Sequence, residues 1–154
     1  MLTKIISGGQ TGVDQAGLDV AIALNIPHGG WIPKGRLTED GPLPEKYHLQ
    51  EMTTKSYPKR TEKNILDSDA TVIISHGNLT GGSALTKKLA QQHSKPWLHL
   101  DMDKMSVPYA SRLLKTWVTD NGIKVLNVAG PRGSGDPKIY AVAFQVLESA
   151  LKNS

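Results

Sequence analysis

Short β-rich runs alternate with stretches of helical period along this chain, and that alternation confines it to βα units around a mostly parallel sheet. Lys4-Ile5-Ile6-Ser7 is the first strand. Behind it Val13, Ala16, Gly17, Val20, Ala21 and Leu24 recur at helical spacing, and Asn25 and Pro27 stop the helix. Residues 28–32 read as a short second strand, 71–75 as a fully buried third, 95–100 as a fourth and 123–128 as a fifth. Helices are expected over 59–67, 83–93 and 106–119, and from about Pro137 onward, where Ile139, Val142, Ala143, Val146, Leu147, Ala150 and Leu151 share one stripe. The expected architecture is a single α/β domain over residues 1–154, with a mostly parallel five-stranded sheet and helices on both faces. Such sheets bind ligands beyond the carboxyl ends of strands at the switch point, where the first and third strands are expected to be neighbours.

Composition narrows the chemistry. A chain of 154 residues buries roughly 70% of its unfolded surface, so it needs no staple to fold. It contains no cysteine, which excludes disulfides, Cys-type zinc sites, iron–sulfur ligation and thiol catalysis, and which suits the cytoplasm. The opening run Met1 to Ser7 is too brief for a signal peptide, and no apolar stretch approaches the ~20 residues needed to span a membrane. The formal charge is +4, but lysines and arginines are scattered and never form a run. Nucleic-acid binders cluster such residues among aromatics, so the excess points instead to a pocket for a small anionic ligand. A homo-oligomer stays compatible with all of this.

Three strands end in glycine-rich turns. The first is Gly8-Gly9-Gln10-Thr11-Gly12-Val13-Asp14, where glycines admit close backbone approach and the next helix offers unpaired N–H groups to an oxyanion. It matches neither a GxGxxG fingerprint nor a Walker A loop, and it also reads as a tight turn capped by Thr11. The second is Gly77-Asn78-Leu79-Thr80-Gly81-Gly82-Ser83, with Ser83 or Thr80 as cap or ligand donor. The third is Gly130-Pro131-Arg132-Gly133-Ser134-Gly135-Asp136, where Asp136-Pro137 is a good helix start and Arg132 a candidate phosphate fork. Residues 33–58 are a long connection rich in Gly, Pro and charge, and a loop of that length inside a compact domain is usually functional. Lys34 and Arg36 on it are the nearest full positive charges, with Glu39 or Asp40 to orient them; a solvated, turn-rich loop is the plainer reading. Arg60, Thr61, Asn64, Ser68 and Asp69 either add polar groups to the same crevice or belong to an amphipathic helix.

Taken together, residues 6–14, Pro33-Lys34-Gly35-Arg36, Glu39-Asp40-Gly41, Arg60-Thr61, Asn64, Ser68-Asp69 and residues 81–86 resemble the putative molybdenum carrier family. That family is also described as circularly permuted YpsA-like, within the SLOG superfamily of Rossmann-type ligand binders. The resemblance runs from about residue 4 to the final helix. It implies a Rossmann-like domain acting as a carrier or sensor, and a ligand that is nucleotide-like or the molybdenum cofactor, a pterin carrying a phosphate. Carried over by motif, the binding residues are Gly8, Gly9, Gln10, Thr11, Gly12, Asp14, Lys34, Arg36, Gly81, Gly82, Ser83 and Thr86.

The alternative is a nucleotide-processing enzyme. The related LOG phosphoribohydrolases carry Pro-Gly-Gly-x-Gly-Thr-x-x-Glu, whereas here Thr86 is followed by Lys87 and Lys88 with no carboxylate on that turn. Cleaving a glycosidic bond needs such a group, so only Asp14, or Glu39 and Asp40, would remain to supply it. No catalytic residue is assigned. Five histidines without an i, i+4 pair give no zinc motif, and no GxSxG elbow is present. Asp101 and Asp103 either hold Mg²⁺ or cap the next helix, and no metal ligand is assigned.

Overall fold

The computed structural model describes residues 1–152. In chain order its elements are β1 (Lys4–Ser7), α1 (Val13–Ala23), β2 (His28–Gly29), β3 (Trp31–Ile32), β4 (Leu37–Thr38), β5 (Gly41–Pro42), β6 (Gln50–Glu51), α2 (Tyr57–Leu66), β7 (Ala70–Ser75), α3 (Gly81–Gln92), β8 (Trp97–Asp101), α4 (Val107–Asp120), β9 (Val125–Ala129) and α5 (Ile139–Leu151). Five strands form one parallel sheet in the order β2-β1-β9-β7-β8, and the fold is Rossmann-like α/β. No helix among the described residues is long and apolar enough to cross a membrane.

The sheet order corrects one expectation. β9 lies between β1 and β7, so the first strand and the strand expected as the third, residues 71–75 within β7, are not neighbours. Leu126 and Val128 are fully buried, and a strand this apolar belongs at the centre, where it is covered on both edges. The consequence reaches the site: the loop after β9, with Arg132, occupies the switch point between the other two glycine loops.

The two faces of the sheet differ in chemistry. Val72, Ile74, Leu126 and Val128 join α1, α4 and α5 in the main apolar core. Each fully buried Leu or Ile there contributes about 1.5–3 kcal/mol. Strand alternation turns Thr71, Ser75 and Asn127 to the opposite face, under the packed pair α2 and α3. Asn127 donates to Thr71 Oγ1 at 3.2 Å on that face. The sheet thus has a polar face where a site needs one.

The expected second strand is broken in two. Gly30 has φ of 126°, and a Cβ there would lie 2.1 Å from the Ser7 carbonyl oxygen, so the chain turns sharply between β2 and β3. β3 then pairs with β6, and the long connection folds over a small second core of Leu18, Ile32, Leu43, Tyr47 and Leu49. This connection also carries the antiparallel β4–β5 hairpin. Helix α2 starts at Tyr57, two residues earlier than its apolar pattern suggests, because Ser56 caps it by accepting from the Lys59 amide.

Candidate functional site

At the carboxyl ends of β1, β9 and β7 the glycine loops and helix α2 enclose a cleft of about 500 Å³, a size typical of small-molecule sites. Its walls differ in what they offer. Helix α3 begins there with Gly81 and Gly82, whose surroundings are open, and the N-cap residue Thr80 makes no side-chain capping bond. Neither glycine amide has an acceptor among the described residues. Free N–H groups and the positive end of the helix dipole therefore face the cleft. Ser83 and Thr86 line the same wall, and Thr86 Oγ1 donates back to the Gly82 carbonyl at 2.9 Å.

Helix α1 offers no such opening. Its Val13 amide donates to the Pro131 carbonyl at 3.3 Å, so the third loop closes its N-terminus. Gly12 has φ of 83°, and a Cβ there would meet Pro131 O at 2.3 Å. Thr11 donates to Glu39 and accepts from the Gly133 amide, while Ser134 donates to Glu39 through both its amide and its hydroxyl. The first loop is a clamp between the hairpin and the third loop. Replacing Gly12 with Val should therefore destabilise the fold by at least about 2 kcal/mol, seen as a lower urea midpoint, since the opposing group is backbone.

Two guanidinium groups stand on this cleft. Arg60, on the inner side of α2, is only 7% exposed. Its Nη1 donates to the Gly8 carbonyl at 2.7 Å and lies 3.8 Å from Asp14 Oδ2. Its Nε is buried without a hydrogen-bond partner. Arg132 lies with Cζ 4.7 Å from the centroid of the Tyr57 ring, and Arg60 approaches the same ring at 5.5 Å. The Arg132 guanidinium makes no hydrogen bond or ion pair with the rest of the described chain, while its backbone carbonyl accepts from the amides of Gly135 and Asp136. Asp14 accepts from the Gln10 amide at 3.2 Å. Burial pushes its carboxyl up to about 6, in spite of the opposing pull of Arg60.

Further polar pairs meet at the strand ends. His76 Nδ1 lies 2.5 Å from Asp136 Oδ2, bringing together residues sixty positions apart on the β7 and β9 loops, and both line the cleft. Ser75 Oγ lies 2.7 Å from His99 Nε2 and donates to the Gly77 carbonyl. Asp101 accepts from the amides of Gly77 and Asp103, while Ser106 caps α4, so this acidic pair shapes a turn. Among the described residues no group of three or more His, Asp or Glu side chains is placed to hold a metal ion.

Of the residues expected from sequence, Gly8, Gln10, Asp14, Gly81, Gly82, Ser83 and Thr86 line the cleft. Gly9, Thr11, Gly12, Lys34 and Arg36 do not. A Cβ on Gly9 would meet Leu49, Leu43 and Ile32, so it faces the second core. The Arg36 guanidinium donates to the carbonyls of Leu49, Leu43, Pro44 and Tyr47 at 3.0–3.3 Å and holds the long connection closed. Lys34 is exposed, and its amide pairs with Thr54 O. The guanidinium groups that line the cleft are those of Arg60 and Arg132, not the Lys34 and Arg36 expected from sequence. Arg36→Ala should lower unfolding free energy by about 2–3 kcal/mol through the loss of its bonds to four carbonyls, of which those of Pro44 and Tyr47 keep a backbone amide partner. Binding of inorganic phosphate, measured by calorimetry, should stay as in the unmodified protein.

His76, Tyr57 and Asn127 carried no signal in the sequence. Each is ordinary at its own position, and only the sheet order brings them to one cleft.

Comparison with known proteins agrees with this geometry. Residues 5–151 match the model of the circularly permutated YpsA SLOG family. A crystal structure described as a "Putative molybdenum carrier protein" from Syntrophus aciditrophicus SB is 58% identical, covering 97% of this chain and 95% of that one, with a TM-score of 0.96. A comparison with curated proteins gives no match.

Proposed function

The chain belongs to the circularly permutated YpsA SLOG family, and on that premise we propose that its cleft binds a small, phosphate-bearing anion, the molybdenum cofactor or a nucleotide-like molecule, which the protein carries or senses. One observation carries the reading: Arg60, Arg132 and the open amides of Gly81 and Gly82 border a single cleft. Guanidinium forks and helix N-termini are the donors that suit phosphate oxygens. The Arg60 Nε, buried without an acceptor, is the kind of group a bound anion would satisfy.

The same donors fit the phosphate of the molybdenum cofactor. The chain has no cysteine to offer the metal as a thiolate ligand. Arg60, Arg132 and the α3 amides would therefore hold that cofactor by its phosphate, and the Tyr57 ring would border its planar part. The structure described as a putative molybdenum carrier protein supports this choice of cargo by name. A chain without cysteine suits the cytoplasm, where we place this function.

Calorimetry with inorganic phosphate, a nucleoside monophosphate and the matching nucleoside tests the reading. Phosphate and the monophosphate should bind, and the nucleoside should bind far more weakly. Arg132→Ala should weaken the monophosphate by about 1.5–3 kcal/mol, roughly 10–100-fold, through loss of charge-assisted bonds. Equal affinity for nucleoside and monophosphate would end the electrostatic account.

A further inference from the structure

A carboxylate accepts hydrogen bonds and cannot donate them when ionised, so the 2.5 Å contact with Asp136 Oδ2 places a proton on His76 Nδ1. The tautomer this selects leaves Nε2 with a free lone pair. No group in the described chain bonds Nε2. A histidine oriented by a carboxylate, with its second nitrogen open to a site, is the arrangement of a general base.

Its position relative to the anion donors is specific. His76 opens the loop that ends at Gly81 and Gly82, and Asp136 closes the loop that carries Arg132. The pair therefore sits on the two loops that offer the phosphate donors, at the rim of the same cleft. The other acids are differently committed. Glu39 is tied to Thr11 and Ser134, and Asp14 is buried against Arg60 and the Gln10 amide.

We propose that the cleft hydrolyses phosphate monoesters, with His76, held by Asp136, as the proton-transfer group; this rests on the anion-binding reading above. His76 Nε2 takes a proton from a water molecule whose oxygen forms a bond to phosphorus. The phosphorus–oxygen bond to the ester breaks on the opposite side, its electron pair stays on the ester oxygen, that oxygen takes a proton from solvent water, and Nε2 returns its own proton to solvent. Ester and water become alcohol and inorganic phosphate, with no oxidant, reductant or co-reactant. Arg60, Arg132 and the α3 amides stabilise charge on the phosphoryl oxygens as the bonds change. A ligand held in the cleft is thereby also open to cleavage at its phosphate.

The test uses p-nitrophenyl phosphate as substrate and inorganic phosphate as the binding probe. The protein should release p-nitrophenol above the buffer blank. His76→Gln and Asp136→Asn should each lower kcat by about 10²–10⁴-fold, with affinity for inorganic phosphate unchanged. If one variant fails to fold, as judged by circular dichroism, the other decides. Binding of phosphate without any release of p-nitrophenol would overturn the hydrolytic proposal and leave the anion-binding reading standing. Absence of phosphate binding would remove both. Release that persists in His76→Gln would overturn the assignment of this histidine.

Discussion

Replacing Arg60 with Ala should cost about 3–5 kcal/mol of unfolding free energy at pH 8, the range for removing one partner of a buried ion pair. The Arg60 side chain is 9% exposed, and its guanidinium bonds the Gly8 carbonyl and is the nearest cation to Asp14. Its removal leaves the Gly8 carbonyl without this donor and the Asp14 carboxylate without its cation in a region that little solvent reaches. The loss should depend on pH in a definite direction. Arg60 holds the Asp14 carboxyl down against burial, so in Arg60→Ala that carboxyl rises further. Once pH falls low enough to neutralise it in both proteins, the uncompensated charge disappears and the stability gap narrows. Urea titrations at pH 8 and pH 5 should therefore show a larger midpoint difference at the higher value. A gap independent of pH would mean that the Gly8 bond and packing carry the whole effect. On the proposed function Arg60 is also an anion donor, so phosphate binding should fail in this variant at both values.

How much of this was legible in sequence follows from which interactions are local. The alternation of apolar periods placed every strand of the main sheet to within a few residues, because each pattern reports the burial of its own segment. The family resemblance was legible too, through glycine motifs that are contiguous in the chain. The order of strands was not: nothing in residues 123–128 states that they insert between β1 and β7. That one fact relocates the site, since it brings Arg132 and Asp136 to the centre and seals the N-terminus of α1 with Pro131.

The role of the cations shows the same limit. Lys34 and Arg36 looked suited to an anion because they lie between Pro33 and Gly35 in an otherwise unexplained loop. Four carbonyls from residues 43–49 take up the Arg36 guanidinium instead, and no local pattern records a contact of that kind. Arg60 sat in a helix whose polar residues fitted a solvated face equally well. It turns inward because α2 packs on α3 and covers the polar side of the sheet.

Asp14→Asn is expected to stabilise the protein at pH 8 and to leave it unchanged at pH 4. The folded carboxyl titrates at about 6, above the ~3.9 of an unfolded aspartate. A carboxyl raised on folding favours the folded state while protonated. That contribution is complete below about pH 4 and is lost as pH climbs through 6. Across that window the unmodified protein should lose up to about 3 kcal/mol relative to a variant that does not titrate, two units at 1.36 kcal/mol each. Asn keeps an oxygen to accept from the Gln10 amide, so the turn after β1 retains its bond. The pull of Arg60 is already contained in the value of about 6, so the expected stabilisation at pH 8 is about 1–3 kcal/mol. The same substitution removes a negative charge from the proposed anion site, so phosphate should bind more tightly to Asp14→Asn at pH 8, with the two proteins converging as pH falls. Urea midpoints and calorimetric affinities at pH 4.5 and 8 measure both effects. An Asn variant less stable than the parent at pH 8 would show that the pairing with Arg60 outweighs the burial of Asp14, and the direction assigned to its carboxyl would be wrong.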